Sequence, residues 1–157
     1  MERSAAYALD DRSIQWAPIE VPGCGVLENF EFAPLAGSTK FEVVDFLVKF
    51  PPKKEANGQT VNLIHTHRHC GTSNLFVVAG EQHIYEPDGT LREVRRVGSY
   101  TVSPPGDVHT ECGGPEGGVV HYSIRGKGML FEFVDEEMNV LGGLSLDDLV
   151  AACGGDT

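Results

Sequence analysis

From residue 41 onward, apolar and polar positions fall into short runs cut at close intervals by Gly, Pro or Asp. Residues 41–50, FEVVDFLVKF, are rich in β-branched and aromatic side chains and stop at Pro51-Pro52, which cannot donate to a strand ladder. Similar runs occupy 60–69, 75–79, 82–86, 91–97, 100–103, 108–111, 119–125 and 129–134. Asp88-Gly89 between two of them is a hairpin signal. Eight or nine short strands with no helix between them predict an antiparallel sandwich or barrel. Residues 1–29 lack this periodicity, and Trp16, Pro18, Pro22, Gly23 and Gly25 predict an extended arm laid over the rest. One short helix is predicted near the C-terminus. Ser145 and Asp148 open it as a capping-box pair before Leu149, Val150 and Ala151, and Gly154-Gly155 ends it. The expected organisation is an arm at 1–29 and one all-β domain at 30–157.

Composition narrows the function. The 157 residues carry 12 Lys+Arg against 23 Asp+Glu, a net charge of −11, so the basic face that nucleic acid or an anionic membrane requires cannot be built. With 19 Gly and 9 Pro, tight turns and short strands are favoured over a helical bundle. No apolar run approaches the roughly 20 residues that span a bilayer, and the first residues lack the pattern of a secretion signal. Cys24, Cys70, Cys112 and Cys153 lie more than 40 positions apart. Reduced thiols in a cytoplasmic chain are therefore expected.

The chemistry concentrates in histidine. Of six, three crowd into IHTHRHC, as His65, His67 and His69. On a strand these alternate residues share a face with Val61 and Leu63. Their backbones stand roughly 6.5–7 Å apart, near enough for imidazoles to converge on an ion at about 2.0–2.1 Å. A solvated strand is the plain alternative, but three imidazoles on an apolar face need a metal or a hydrogen-bonded network.

A second segment, GSYTVSPPGDVH, fits the spacing G(X)5PXG(X)2H with Gly98, Pro104, Gly106 and His109, and resembles the second motif of the cupins. The first cupin motif, G(X)5HXH(X)3–4E(X)6G, is partly present. Counting back from Gly80 selects His67 and His69, with His65 and His67 as second choice. Ser73 stands where most cupins have a metal-binding Glu, Gly113 stands where the second motif ends in Asn, and Gly58 begins the first motif early. The runs RHCGTSNLFVVAG, EQHIYE and GSYTVSPPGDVHT extend the resemblance, from about residue 28 to the C-terminal helix, to the 2,4'-dihydroxyacetophenone dioxygenases and more distantly to the acetylacetone-cleaving dioxygenases. That resemblance implies a jelly-roll barrel and one divalent ion, Fe(II), held by His67, His69 and His109. It also implies cleavage of a carbon–carbon bond in a small molecule with O2.

Three neutral ligands would leave the metal its full double charge, where two His and a carboxylate leave about one. Such a centre favours a bidentate anionic chelator, such as the enolate of a β-diketone or hydroxyketone. His65, His83, Glu86 and Glu111 are candidates for a fourth ligand or for orienting the ligands, His65 first among the latter. His121 is read as a satisfied core histidine, Cys70 and Cys112 as structural, and Arg92, Arg95 and Arg96 as a solvated strand face. The main alternative is a zinc-binding sensor, because the chain also resembles the cupin domain of zinc-dependent anti-sigma factors. Those proteins add a helical domain that 29 weakly patterned residues cannot supply. A sugar-type isomerase fits less well, since those cupins keep the Glu that Ser73 replaces. Pairing through sheet edges predicts a homodimer.

Overall fold

The computed structural model describes residues 14–156; the first 13 positions of the expected arm lie outside the described residues. Ala17 bridges Phe32. β1 (Glu20–Val21) and β2 (Gly25–Val26) then form a small hairpin that sends Val21 and, just after it, Leu27 into the core. β3 (Glu31–Ser38) and β4 (Val43–Phe50) pair antiparallel, and a second small hairpin, β5 (Glu55–Ala56) with β6 (Gln59–Thr60), follows. The chain continues through β7 (His67–His69), β8 (Thr72–Tyr85), β9 (Leu91–Arg96), β10 (Tyr100–Ser103) and β11 (Val108–Arg125). β12 (Met129–Val134), β13 (Val140–Ser145) and α1 (Leu146–Ala152) complete it.

Among the described residues the ladders are antiparallel, and those of the main sheet run β10–β8–β11–β7–β12–β13, with β4 on β11, β3 on β4 and β9 on β8. The sheet curls because β11 serves two neighbourhoods: its first residues pair with β7 and its later ones with β4. Inside the curl, Phe46 stacks on Tyr122 at 5.1 Å between ring centres, and Phe131 stands edge-on to Phe46 at 6.4 Å. The helix closes one side with Leu146, Leu149 and Val150, all buried, and Ser145 and Asp148 form the expected capping box. Such a cap is worth about 1 kcal/mol.

Several strand boundaries differ from the sequence pattern. Residues 75–79 and 82–85 belong to the single strand β8, and 108–111 and 119–125 to β11, which is continuous through a bulge between Gly113 and Gly118. Gly80, at φ +62, does not end its strand. A Cβ there would stand 2.3 Å from the Gly117 carbonyl oxygen, so the residue permits two backbones to touch. β3 lies between the arm expected at 1–29 and the first run expected at 41–50, where no strand was expected; Pro34, Ala36 and Gly37 hide it. Two glycines in β13, Gly142 and Gly143, do the same there. Within 60–69, only Thr60, the end of β6, and 67–69 are strand.

Candidate metal centre

β7 is three residues long and lies between two strands. His67 is opposite His109 on β11 and Phe133 on β12, while His69 is opposite Phe131. Opposed residues of an antiparallel pair present their side chains to one face, so both imidazoles of β7 and that of His109 meet inside the barrel. Arg68 points the other way and pairs with Glu132 at 2.6 Å. The three rings are 2%, 0% and 1% exposed for His67, His69 and His109. Their centres stand 4.7–5.2 Å apart, and one nitrogen of each lies within 4.8 Å of the others.

The Nδ1 atoms are all engaged: with the His65 carbonyl at 3.0 Å for His67, Ser73 Oγ at 2.7 Å for His69, and Asp107 Oδ2 at 2.9 Å for His109. A carbonyl and a carboxylate only accept, so His67 and His109 donate from Nδ1 and present Nε2 as a bare lone pair. His69 Nε2 is buried without any partner, a condition that normally has an explanation in an ion or water. Burial, then the neighbouring His109, pushes His67 down to about 4. Burial, then His67 and His109, holds His69 well below the usual imidazole range. Three imidazoles with oriented nitrogens fit one divalent cation, and the group could hold one.

The orienting groups are tied down in turn. Asp107 is held well below the usual carboxylate range, first by its hydrogen bond with His109 and further by Arg92. Arg92 donates to Asp107 Oδ1 at 2.9 Å, to both oxygens of Glu86 and to the Val108 carbonyl. Glu111, 2% exposed, lies beside the rings with Oε1 3.6 Å from His67 Nε2. It accepts from the Tyr122 hydroxyl and from Gln82.

Of the residues singled out by sequence, the structure brings together His67, His69, His109 and Glu111. It does not bring the His65 side chain, which is exposed; only its carbonyl reaches the group. The shared face expected for 61–69 changes phase midway. Val61 is 58% exposed while Ile64 is buried, because Ile64 is bonded on both sides to β11, its carbonyl to Thr110 Oγ1 and its N–H to the Glu111 carbonyl. His83 is buried, but on the other face of β8, opposite Cys112, with Nε2 2.7 Å from Glu81. Glu86 is spent on Arg92. Neither is a fourth ligand in this arrangement. His121 is not a core residue: it pairs with Asp45 at 3.3 Å on the outer face. Arg95 is buried rather than solvated. Asp107, Gln82 and Tyr122 went unremarked in the sequence. Asp107 was accessible there, two residues before His109 within GSYTVSPPGDVH. Tyr122 was not, because the bulge in β11 breaks the alternation that would link it to Glu111.

A small cavity of about 50 Å³ opens beside His67 and Glu111. Its walls are apolar, among them Ile19, Leu27, Phe30, Phe133 and Leu149. Among the described residues, no helix is long and apolar enough to cross a membrane.

A curled antiparallel barrel with inward histidines from two adjacent strands is a cupin fold. No family model and no curated protein matches the sequence. Solved structures do share the fold. An acetylacetone dioxygenase from Acinetobacter johnsonii superposes with a TM-score of 0.65 at 13% identity, over 98% of this chain and 93% of that one. A protein described as a putative acetylacetone dioxygenase from Methylibium petroleiphilum gives 0.64 at 14%, over 99% of each chain. The polyketide cyclase RemF from Streptomyces resistomycificus gives 0.60 at 17%, over 96% and 91%.

Proposed function

We propose that this protein is a mononuclear non-haem Fe(II) dioxygenase that uses O2 to cleave a carbon–carbon bond in a β-diketone or hydroxyketone. The observation that carries this reading is the meeting of three buried, Nδ1-anchored imidazoles beside an apolar cavity. His67, His69 and His109 hold the ion, and the Ser73 hydroxyl serves to orient His69 rather than to add a charge. A bound ferrous ion supplies Lewis acidity that favours the enolate of a chelated ketone, together with the one-electron chemistry that O2 requires. Phe131 and Phe133 stand edge-on or tilted against the rings, keeping water from the histidines and the substrate aligned against them. The acetylacetone dioxygenase of the same fold supports the reading of a dioxygenase acting on a ketone.

Elemental analysis of anaerobically purified protein, followed by oxygen-electrode assays with diketones and hydroxyacetophenones after Fe(II) loading, tests the proposal. One iron per chain and ketone-dependent O2 uptake are expected. Tightly held zinc with no uptake for any ketone would replace it with the sensor reading, which three neutral nitrogen ligands also suit.

Two further outcomes follow from the anchoring of the rings. Asp107→Ala frees the His109 ring and lowers affinity for a divalent ion about 10–100-fold, measured by chelator competition; unchanged affinity would show that Asp107 does not orient a ligand. In the metal-free protein, His67 is harder to protonate folded than unfolded. The unfolded chain therefore binds more protons below about pH 6.5, and stability falls as pH drops from there towards 4. Urea midpoints measured across this window should decline, and a flat profile would contradict burial of the neutral rings.

A further inference from the structure

Little room is left beside the ligand rings. The cavity next to His67 measures about 50 Å³, space for roughly three to five water-sized groups. A dry apolar cavity that admits benzene measures about 150 Å³. The wall is not supplied by the curled sheet alone. Ile19, Leu27 and Phe30, all from the segment before β3, line the same space as His67, Phe131 and Phe133.

That segment is tied down at several points. Ala17 bridges Phe32 on β3, the Leu27 N–H donates to the Ile19 carbonyl at 3.0 Å, and the Gly143 N–H of β13 donates to the Pro22 carbonyl at 3.2 Å. Val21 is 1% exposed and Leu27 5%, so the burial of two apolar side chains holds the β1–β2 hairpin and its flanks against the barrel. Ile19 and Phe30 are partly buried and pack on the same core, the Phe30 ring 6.3 Å from that of Phe50. A ligand with a large end group must therefore displace packed side chains, which yield only at a cost.

We infer that this hairpin segment is the size filter of the site: Ile19, Leu27 and Phe30 close the space beside the metal group, so that it takes a ketone ending in a short alkyl group and turns away aryl ketones. The inference rests on the ketone reading above and narrows it, favouring aliphatic β-diketones over hydroxyacetophenones. The preference runs against simple hydrophobicity. A phenyl group buries more apolar area than a methyl, so an open site would bind the aryl compound more tightly. Only a closed wall reverses that order.

A matched pair of probes tests it on zinc-loaded protein, where binding is read without turnover. Acetylacetone and benzoylacetone present the same chelating diketone and differ in carrying a methyl or a phenyl group. Calorimetric titration should show acetylacetone binding at least about tenfold tighter. Leu27→Ala, which cuts back the wall, should bring the two within about twofold of each other by admitting the phenyl group. Ile19→Ala, at a partly buried position, should narrow the preference in the same direction and serves if Leu27→Ala does not fold. Val21→Ala is the control, because Val21 is buried in the same hairpin without lining the cavity; it should lower the melting temperature and keep the full preference. Benzoylacetone binding as tightly as acetylacetone to the unsubstituted protein overturns the inference and leaves the ketone reading standing. An undiminished preference in both cavity variants, or an equal loss of it in Val21→Ala, does the same. If neither probe binds while one zinc is held per chain, the ketone reading itself fails and takes this inference with it.

Discussion

His109→Ala is expected to abolish stoichiometric metal, lowering affinity at least about a hundredfold, while His121→Ala leaves metal content unchanged. The contrast follows from position. His109 is 1% exposed and faces two rings of β7 whose centres lie 4.7 and 4.8 Å away. It supplies the only nitrogen of the group that comes from a different strand, so its loss leaves two adjacent imidazoles and an open side. Nothing nearby substitutes for it: His83 lies on the far face of β8, Glu86 is committed to Arg92, and Glu111 is committed to Tyr122 and Gln82. His121 is as abundant in nitrogen but bonds Asp45 on the outside of the barrel. Metal analysis by mass spectrometry after dialysis distinguishes the two variants, and one ion per chain retained in His109→Ala would remove the ligand assignment.

Gly118→Ala is expected to be the most damaging small substitution in the barrel. A Cβ at Gly118 would lie 2.1 Å from the Glu81 carbonyl oxygen and 2.9 Å from its carbon, both backbone atoms. Neither can swing aside as a side chain would, so β8 and β11 must separate where they cross. The cost is about 3 kcal/mol or more, which for a chain of this size lowers Tm by roughly 6–12 °C. The same substitution should weaken metal binding, because the bulge it disturbs sets which residues of β11 face inward. Gly89→Ala is the control. It has φ +85 but open space around it, so it costs only the strain of its turn, about 1 kcal/mol. Thermal melts of the two variants compare them directly, and equal stability would mean that the close crossing is not a constraint.

The bulge also explains where sequence reading stops. Strand periodicity survives wherever a strand is regular, so residues 41–50, 91–97 and 129–134 were legible, as were the Asp88-Gly89 turn and the Ser145 cap. His67, His69 and His109 were legible because a metal group needs one residue type at a spacing that motif counting can find. Glu111 was within reach, two positions beyond His109 on the same run. Tyr122 and Gln82 were not, since their approach to Glu111 depends on the register shift between Gly113 and Gly118 and on the pairing of β8 with β11. His65 misled for the same reason in reverse: alternation placed it with its neighbours, and hydrogen bonds from Ile64 to β11 shift the phase before His67.

By itself, then, the sequence determined an all-β chain, its helix cap, its acidity and the three imidazoles of the candidate centre, because each depends on local spacing or on composition. Only the tertiary structure decided which nitrogen each ring offers, which carboxylate stands beside them and which histidines face outward. Those outcomes depend on contacts between strands far apart along the chain, and a single bulge there reverses the face of every residue that follows it.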